Sequence, residues 1–258
     1  MFRLTKWYLD LVTPQGTVLI AYAGSLRWRA LTVDYASTFL APPGREPLET
    51  SRWSGADVTQ ADENVVRFAH PQLEMDGTWT RRSPPITEVL LDDEAGRVTW
   101  DCVLPGARAS VRLGDDHLEG LGYVERLTFT RPPWSLPLRT LRWGRFVSDA
   151  HALVWISWDG GPPRRWTWLD GVAQPHARPD DRGVSGLDDD LALDLDSGRV
   201  LCDRKALQVL SRQLPALDAL PLGPLGHLRE TKRLARGRLR TPADGADEGW
   251  VIHEVVTW

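Results

Sequence analysis

Gly122-Tyr123-Val124-Glu125-Arg126-Leu127-Thr128-Phe129 is the stretch that decides the fold. Side chains alternate between the two faces of an extended strand, so Glu125 shares a face with Tyr123 and two further apolar residues. Short runs with the same period of two recur along the chain, at 17–22, 26–33, 65–68, 77–80, 87–91, 97–103, 141–147, 152–158, 165–169, 191–195, 228–234 and 250–258. They are rich in β-branched and aromatic residues, which is typical of strands. The pattern predicts an all-β protein.

Turn residues separate many of these runs. Pro14-Gln15-Gly16, Asp76-Gly77, Glu94-Ala95-Gly96 and Asp159-Gly160-Gly161 tolerate the positive φ of tight turns. Hairpins joining antiparallel strands are therefore expected.

Two features interrupt the strand pattern. The polar break Gly114-Asp115-Asp116 predicts a junction between an N-terminal half, 1–115, and a C-terminal half, 116–258. In the second half, Asp203 can cap a short helix that ends before Pro215. Its apolar face would consist of Ala206, Leu207, Val209 and Leu210.

Composition excludes several classes of protein. The formal charge of −4 is spread over 258 residues without a basic cluster, which argues against a nucleic-acid partner. The first residues lack the apolar core of a signal peptide, and no run is long enough to span a bilayer. We therefore expect a cytoplasmic protein without membrane insertion. The sequence does not determine the oligomeric state.

Motifs of the large enzyme classes are absent from the sequence. It contains no glycine-rich phosphate loop, HExxH, CxxC or GxSxG element, and its six histidines lack ligand spacing. Cys102 and Cys202 are far apart and are expected to be small buried residues. We assign no metal and no cofactor.

Glu125 is the candidate reactive group. A carboxyl enclosed by apolar neighbours has its pKa raised and can stay protonated near neutrality, as a general acid requires. A buried ion pair with Arg142, Arg145 or Lys232 explains an inward glutamate equally well. Both interpretations stay open at this point.

Tryptophan is abundant, with 13 indoles in the chain. Trp143, Trp155 and Trp158 lie on two successive predicted strands, where their rings can stabilise a developing carbocation or serve as inert walls around a flat apolar ligand. Near the C-terminus Glu230 and Lys232 share a strand face. Such a pair is more often solvated than part of a site.

Three short motifs resemble the AttH-like and hydroxyneurosporene-synthase-like proteins. Lys6-Trp7-Tyr8-Leu9-Asp10 is similar to the opening of that family. Gly120-Leu121-Gly122-Tyr123 is similar to the start of its second half, and Trp143-Gly144-Arg145 followed by Val154-Trp155 to the segment after it. The resemblance implies a lipocalin-like architecture of two antiparallel β-barrel-like halves with a ligand pocket between or inside them.

The same resemblance implies a function. The group is similar in fold to carotenoid hydratases, tocopherol-cyclase-like enzymes and lipocalin-like Diels-Alderases of polyketide pathways, whose substrates are apolar and polyunsaturated. The hydratases carry Gly-Tyr-His-Asp-His where this chain has Gly122-Tyr123-Val124-Glu125-Arg126. This departure argues against carotenoid hydration and leaves Glu125 as the available acid.

The sequence thus predicts a cyclase, of Diels-Alderase or acid-assisted type, that acts on an apolar polyene of secondary metabolism. Glu125 and Tyr123 are the expected catalytic residues. The residues expected to line the substrate site are Trp7, Tyr8, Asp10, Trp143, Arg145, Trp155 and Trp158. A carotenoid- or terpenoid-hydratase-like lyase and a non-catalytic carrier of a hydrophobic ligand are the alternatives.

Overall fold

The protein folds almost entirely into β-strands. The computed structural model describes residues 2–205, 229–240 and 245–257, and the chain divides into two compact units, Met1–Pro133 and Trp134–Trp258. In these described ranges the helical elements are three single 3₁₀ turns, Pro71–Leu73, Pro133–Ser135 and Asp188–Asp190. The predicted all-β class is confirmed.

The first unit is one curled sheet of ten antiparallel strands. They are β1 Phe2–Val12, β2 Val18–Trp28, β3 Leu31–Ala41, β4 Leu48–Arg52, β5 Asp57–Asp62, β6 Val65–His70, β7 Met75–Arg81, β8 Ile86–Asp93, β9 Gly96–Leu113 and β10 Asp116–Phe129. Their order across the sheet is β4-β3-β2-β1-β10-β9-β7-β6-β5, and β8 also pairs with β9. β10 is thus held between the first strand of the chain and β9.

The second unit is also a curled sheet of ten antiparallel strands. They are β11 Thr140–Val147, β12 Ala152–Asp159, β13 Arg164–Leu169, β14 Val172–Ala173, β15 Arg178–Asp180, β16 Gly183–Ser185, β17 Ala192–Leu195, β18 Arg199–Lys205, β19 Arg229–Arg240 and β20 Ala246–Thr257. Their order is β14-β13-β12-β11-β20-β19-β17-β16-β15, with β18 paired to β19.

The two sheets have the same strand order. Adding ten to every strand number of the first sheet gives the second, including the strand that lies off the main path, β8 in one and β18 in the other. The chain therefore contains one topology twice, although no repeat is visible in its sequence. Positions in the paired rows of one sheet have counterparts in the other that can be found by counting along paired strands.

Each unit has its own apolar core on one face of its sheet. In the first unit it includes Leu9, Leu11, Trp79 and Val124, and in the second Phe146, Trp155 and Val251. Strand alternation then places the even-numbered residues of β1 and the odd-numbered residues of β11, with the side chains aligned to them on neighbouring strands, on the opposite face. We call this opposite face of each sheet its polar-row face, since the buried ionisable groups described below lie there.

One predicted strand, 26–33, contains a turn. β2 ends at Trp28 and β3 begins at Leu31, and Arg29 has a φ of 57°. The sequence Trp28-Arg29-Ala30-Leu31 lacks the Gly, Asn, Asp or Pro that normally marks a hairpin. The prediction of one continuous strand was therefore wrong.

The polar break at Gly114-Asp115-Asp116 is the turn between β9 and β10. β10 completes the first sheet, and the compact unit extends to Pro133 because this strand pairs on both sides within it. The residue chosen as a helix cap, Asp203, lies in β18 and accepts hydrogen bonds from the Arg229 guanidinium at 2.7 and 2.6 Å. The remainder of the predicted helix, up to Pro215, lies outside the described residues.

Two glycine motifs have a packing explanation. A Cβ on Gly122 would lie 2.2 Å from the carbonyl oxygen of Asp10, and one on Gly120 would lie 2.1 Å from that of Val12. β10 can approach β1 this closely only without side chains there. In the second unit the indole of Trp155 lies across Gly144, where a Cβ would be 2.1 Å from the ring.

No helix among the described residues is long and apolar enough to cross a membrane.

Candidate functional site

Glu125 lies in a row of paired residues that crosses six strands of the first sheet. Counted along the hydrogen-bonded register from β3 to β8, the row is Ser37, Tyr22, Tyr8, Glu125, Cys102 and Ile86. Only Tyr22 is partly exposed, and the other five are buried. Glu125 itself is 6% exposed, which confirms the inward orientation expected from strand alternation.

Two neutral donors hold the carboxyl group of Glu125. The indole Nε1 of Trp100 donates to Oε2 at 2.5 Å, and the hydroxyl of Tyr123 donates to the same oxygen at 2.7 Å. Both donors are themselves almost fully buried. Oε2 of the carboxyl group is therefore held by two hydrogen bonds.

Tyr123 remains a neutral donor over a wide pH range. Burial raises the pKa of its hydroxyl well above the ordinary value, and the neighbouring Cys102 and Glu125 reinforce this effect. Burial likewise raises the pKa of the Cys102 thiol, which is hydrogen-bonded to Tyr123. Because neither group ionises near neutrality, Glu125 is the acid or base of this trio at that pH.

The residues of β1 that were predicted to line the substrate site point to both faces of the sheet. Tyr8 and Asp10 are buried on the polar-row face, and the ring of Tyr8 makes edge contacts with Tyr22 at 5.3 Å and Tyr123 at 6.0 Å. Trp7 points to the other face, where it packs against the apolar core below the guanidinium of Arg126. The structure thus brings Tyr8, Asp10 and Tyr123 to Glu125 and leaves Trp7 outside this group.

The second sheet contains a row at the equivalent position. From β13 to β18 it consists of Trp166, Ile156, Trp143, Glu254, Lys232 and Cys202. Glu254 on β20 therefore corresponds to Glu125 on β10, and Trp143 on β11 corresponds to Tyr8 on β1. The rows differ most at the next strand, where Lys232 occupies the position that Cys102 has in the first sheet.

Lys232 is the centre of a charged network. Its side chain is 3% exposed, and Nζ lies 2.5 Å from Glu254 Oε2 and 3.1 Å from Glu230 Oε1. Arg204 Nε contacts the other oxygen of Glu230 at 3.5 Å. Cys202 lies beside the network, and burial raises the pKa of its thiol to about 11. The expectation that Glu230 and Lys232 form a solvated strand face was wrong.

The indoles of the second unit that were predicted to line the substrate site also point to both faces of their sheet. Trp143 and Trp158 are buried on the polar-row face, where Trp158 makes an edge contact with Trp166 at 5.4 Å. Trp155 lies on the other face, in the apolar core. Arg145, fully buried on the polar-row face, donates from Nη1 to the carbonyl oxygen of Trp250 at 2.8 Å.

The three cations considered as partners of Glu125 have partners in their own unit. Lys232 binds Glu230 and Glu254, Arg142 contacts Asp159 and Asp181, and Arg145 donates to Trp250.

Sequence reasoning missed Trp100 and Glu254. Glu254 had a usable signal, because it interrupts an aliphatic strand at 250–258 as Glu125 does at 123–129. Trp100 had none, since its contact with Glu125 depends on strand pairing over 25 residues.

Comparison with known proteins gives structural matches only. No family model and no curated protein matches the sequence. Among solved structures, CghA aligns with a TM-score of 0.61 and 12% identity, over 99% of this chain and 88% of its own. A protein described as AttH from Nitrosomonas europaea aligns with a TM-score of 0.54 and 11% identity, over 99% and 92%.

Kievitone hydratase from Nectria haematococca aligns with a TM-score of 0.51 and 10% identity, over 98% of this chain and 88% of its own. The fold is lipocalin-like and consists of two halves. At these identities the likeness extends to nearly the whole chain and establishes its architecture. It confirms the fold that the three short motifs implied.

Proposed function

We propose that this protein is a cyclase- or hydratase-type enzyme that acts on an apolar, unsaturated small molecule, with Glu125 as its general acid. The observation that supports this proposal is the setting of Glu125. It is a buried carboxyl group held by two neutral donors on a face that also carries the rings of Tyr8 and Tyr22. The fold shared with CghA, crystallised with Sch210972, and with kievitone hydratase supports the same class.

The proposed chemistry uses one transferable proton. Oε2 accepts from Trp100 and Tyr123. We assign the transferable proton to Oε1, from which it is delivered to a carbon–carbon double bond. The two donors then stabilise the negative charge that develops on the carboxylate. The electron-rich rings of Tyr8 and Tyr22 are suited to stabilise the carbocation, by about 0.5 to 2 kcal/mol for each well-placed ring.

Two outcomes are possible for the carbocation. If a second double bond attacks it, a ring forms, and loss of a proton to Glu125 gives an isomer of the substrate. If water attacks it, the oxonium returns its extra proton to Glu125 and the product is a hydrate. In both cases the acid is regenerated.

The row of the second unit provides a different kind of group. Glu254 is paired with the ammonium of Lys232, whereas the donors described for Glu125 are neutral. We assign proton delivery to Glu125, the carboxyl group whose described donors are neutral.

The test uses lycopene in detergent micelles as a polyene probe, incubated with the protein in D₂O and analysed by mass spectrometry. Acid-assisted cyclisation gives an isomer that carries deuterium, and hydration adds the mass of D₂O. Glu125→Gln keeps the shape of the side chain but not its acidity, so turnover should fall by about 10² to 10⁴. Glu119→Gln, an exposed change on the same strand, should leave turnover unchanged.

Binding is measured separately from turnover. Retinol added to the protein should quench indole emission, since 13 tryptophans are present and several lie on the polar-row faces. Glu125→Gln should bind retinol as the unmodified protein does. An isomer without deuterium would indicate a shape-guided pericyclic reaction, and retinol binding without conversion of any probe would favour the carrier function.

A further inference from the structure

The hairpin between β2 and β3 ends in a tip that combines an exposed leucine and exposed arginines with the partly buried ring of Trp28 and the buried ring of Phe2. Trp28 and Leu31 pair across the turn, and Phe2 on β1 pairs with Trp28, with the two rings 6.5 Å apart. Leu31 is 43% exposed. We call Phe2, Trp28, Arg29 and Leu31, with the paired Arg3 and Arg27 of the next row, the hairpin tip.

The charge of the hairpin tip is opposite to that of the protein. Arg3, Arg27 and Arg29 are all exposed, whereas the chain as a whole has a formal charge of −4. Asp34 is the only acidic residue at positions 22–36. No carboxylate in the described part of the chain forms an ion pair with any of the three arginines. A local cationic surface is thus maintained on an acidic protein.

The backbone at the tip also has an unfavourable conformation. Arg29 adopts a φ of 57°, a left-handed conformation that costs free energy for a residue with a Cβ. Its guanidinium lies over the ring of Trp28 at 5.4 Å. Glycine or asparagine would adopt this turn conformation at a lower cost in free energy. The conformation of the turn therefore does not explain why an arginine stacked on an indole occupies this position.

Apolar side chains connect the tip to the row of Glu125. On the same face of the sheet the next paired row consists of Phe129, Leu4, Leu26 and Val33, all half-buried. The following row contains Leu127, Lys6 and Tyr35, and the one after it contains Glu125 and Tyr8. Nearby, the half-exposed indole of Trp53 packs on Tyr35 at 5.2 Å.

We infer that the hairpin tip docks on an anionic lipid surface and that the protein collects its apolar ligand there. Tryptophan and leucine insert at the headgroup level, and arginines bind lipid phosphates. The half-buried row of Phe129, Leu4, Leu26 and Val33, followed by Leu127 and Tyr35 beside the exposed Lys6, then connects the lipid surface to Glu125 along one face of the sheet. The docking itself does not depend on the proposed function. The purpose assigned to it rests on that function.

The test is co-sedimentation of the full chain with lipid vesicles. We expect the protein to pellet with mixed phosphatidylcholine–phosphatidylglycerol vesicles, to be released by salt, and to remain in solution with pure phosphatidylcholine. Arg27→Gln and Arg29→Gln should each lower the partition coefficient about fivefold, as expected for one cation near an anionic surface. Leu31→Ser should lower it by about the same factor.

Matched controls lie at the opposite end of β3. Arg45→Gln removes an equally exposed arginine, and Leu48→Ser removes a leucine that is 62% exposed. Both should pellet as the unmodified protein does. Equal binding to both kinds of vesicle, no binding to either, or tip variants that behave like the controls would overturn the proposal.

The vesicle assay contains no substrate, so its result is separate from that of the lycopene assay. Vesicle binding with no conversion of lycopene would preserve the docking proposal and refute the enzymatic one. Conversion of lycopene without vesicle binding would preserve the enzymatic proposal and refute the docking one.

Discussion

Glu125 on β10 and Glu254 on β20 occupy the same position in two sheets of identical strand order, but they face different residues on the next strand. Cys102 is paired with Glu125, and Lys232 is paired with Glu254. A neutral thiol and an ammonium create opposite environments for otherwise equivalent carboxyl groups.

The pair of Lys232 and Glu254 should be strongly coupled. Because Lys232 is buried, Glu254→Gln leaves its ammonium with less compensating charge and should lower the free energy of unfolding by about 1 to 3 kcal/mol. Lys232→Met should also destabilise. Urea denaturation of the double variant should show a loss smaller than the sum of the two single losses. Additive losses would contradict the coupling.

Tyr123→Phe should remove a hydrogen bond to Glu125 without leaving a cavity in the core. The ring is retained, but the hydroxyl that donates to Glu125 Oε2 at 2.7 Å is lost, which should cost about 1 to 3 kcal/mol of stability. Turnover of the lycopene probe should fall as well, because one of the two groups that stabilise the developing carboxylate is missing. Tyr35→Phe, on the same face but outside the row, serves as the control for the stability measurement. Equal behaviour of the two variants would argue against a role for Tyr123.

Stability should decrease in mild acid because of His253. Burial lowers the pKa of its imidazole from 6.5, an effect increased by Arg233 and opposed by Asp181. Below pH 6.5 the unfolded chain binds a proton that the folded protein resists, so the free energy of unfolding falls as pH drops. The loss is at most about 1.4 kcal/mol per pH unit.

Thermal denaturation between pH 7 and pH 5 measures this effect. His253→Gln should make the melting temperature less dependent on pH, and His176→Gln, at an exposed histidine, should not. A steeper dependence in the first variant would contradict the assignment.

Gly144→Ala should destabilise the second unit. The added Cβ would lie 2.1 Å from the Trp155 ring, so the indole must move out of a packed core, at a cost of about 1 to 3 kcal/mol. Gly161→Ala, where no atom lies within 4 Å of the new Cβ, should be tolerated. Trp155→Leu combined with Gly144→Ala should recover part of the loss in urea denaturation.

Local patterning was sufficient for the fold class and for the orientation of single side chains. Alternation along 123–129 correctly placed Glu125 inward and on the same face as Tyr123, because side-chain direction in a strand depends only on the parity of the position. The turn at Arg29 was missed, since its conformation is imposed by strand pairing and not by a residue that prefers it.

Register could not be predicted from the sequence. Lys232 faces Glu254, and Trp100 reaches Glu125, through pairings between positions 22 and 25 residues apart that no local pattern encodes. The repeat was hidden for a related reason. Apart from the two glutamates, the counterparts in the two rows share a place in the sheet but not a residue type, as Tyr8 and Trp143 illustrate.

The doubled strand order gives this molecule an internal reference. A change at a position of one paired row can be made at its counterpart in the other row, in the same chain, solvent and preparation, and the difference between the two results isolates what the local neighbours contribute. Exchanging Cys102 and Lys232 tests the influence of the facing residue in the same way. The measurement is whether each glutamate then behaves as the other did.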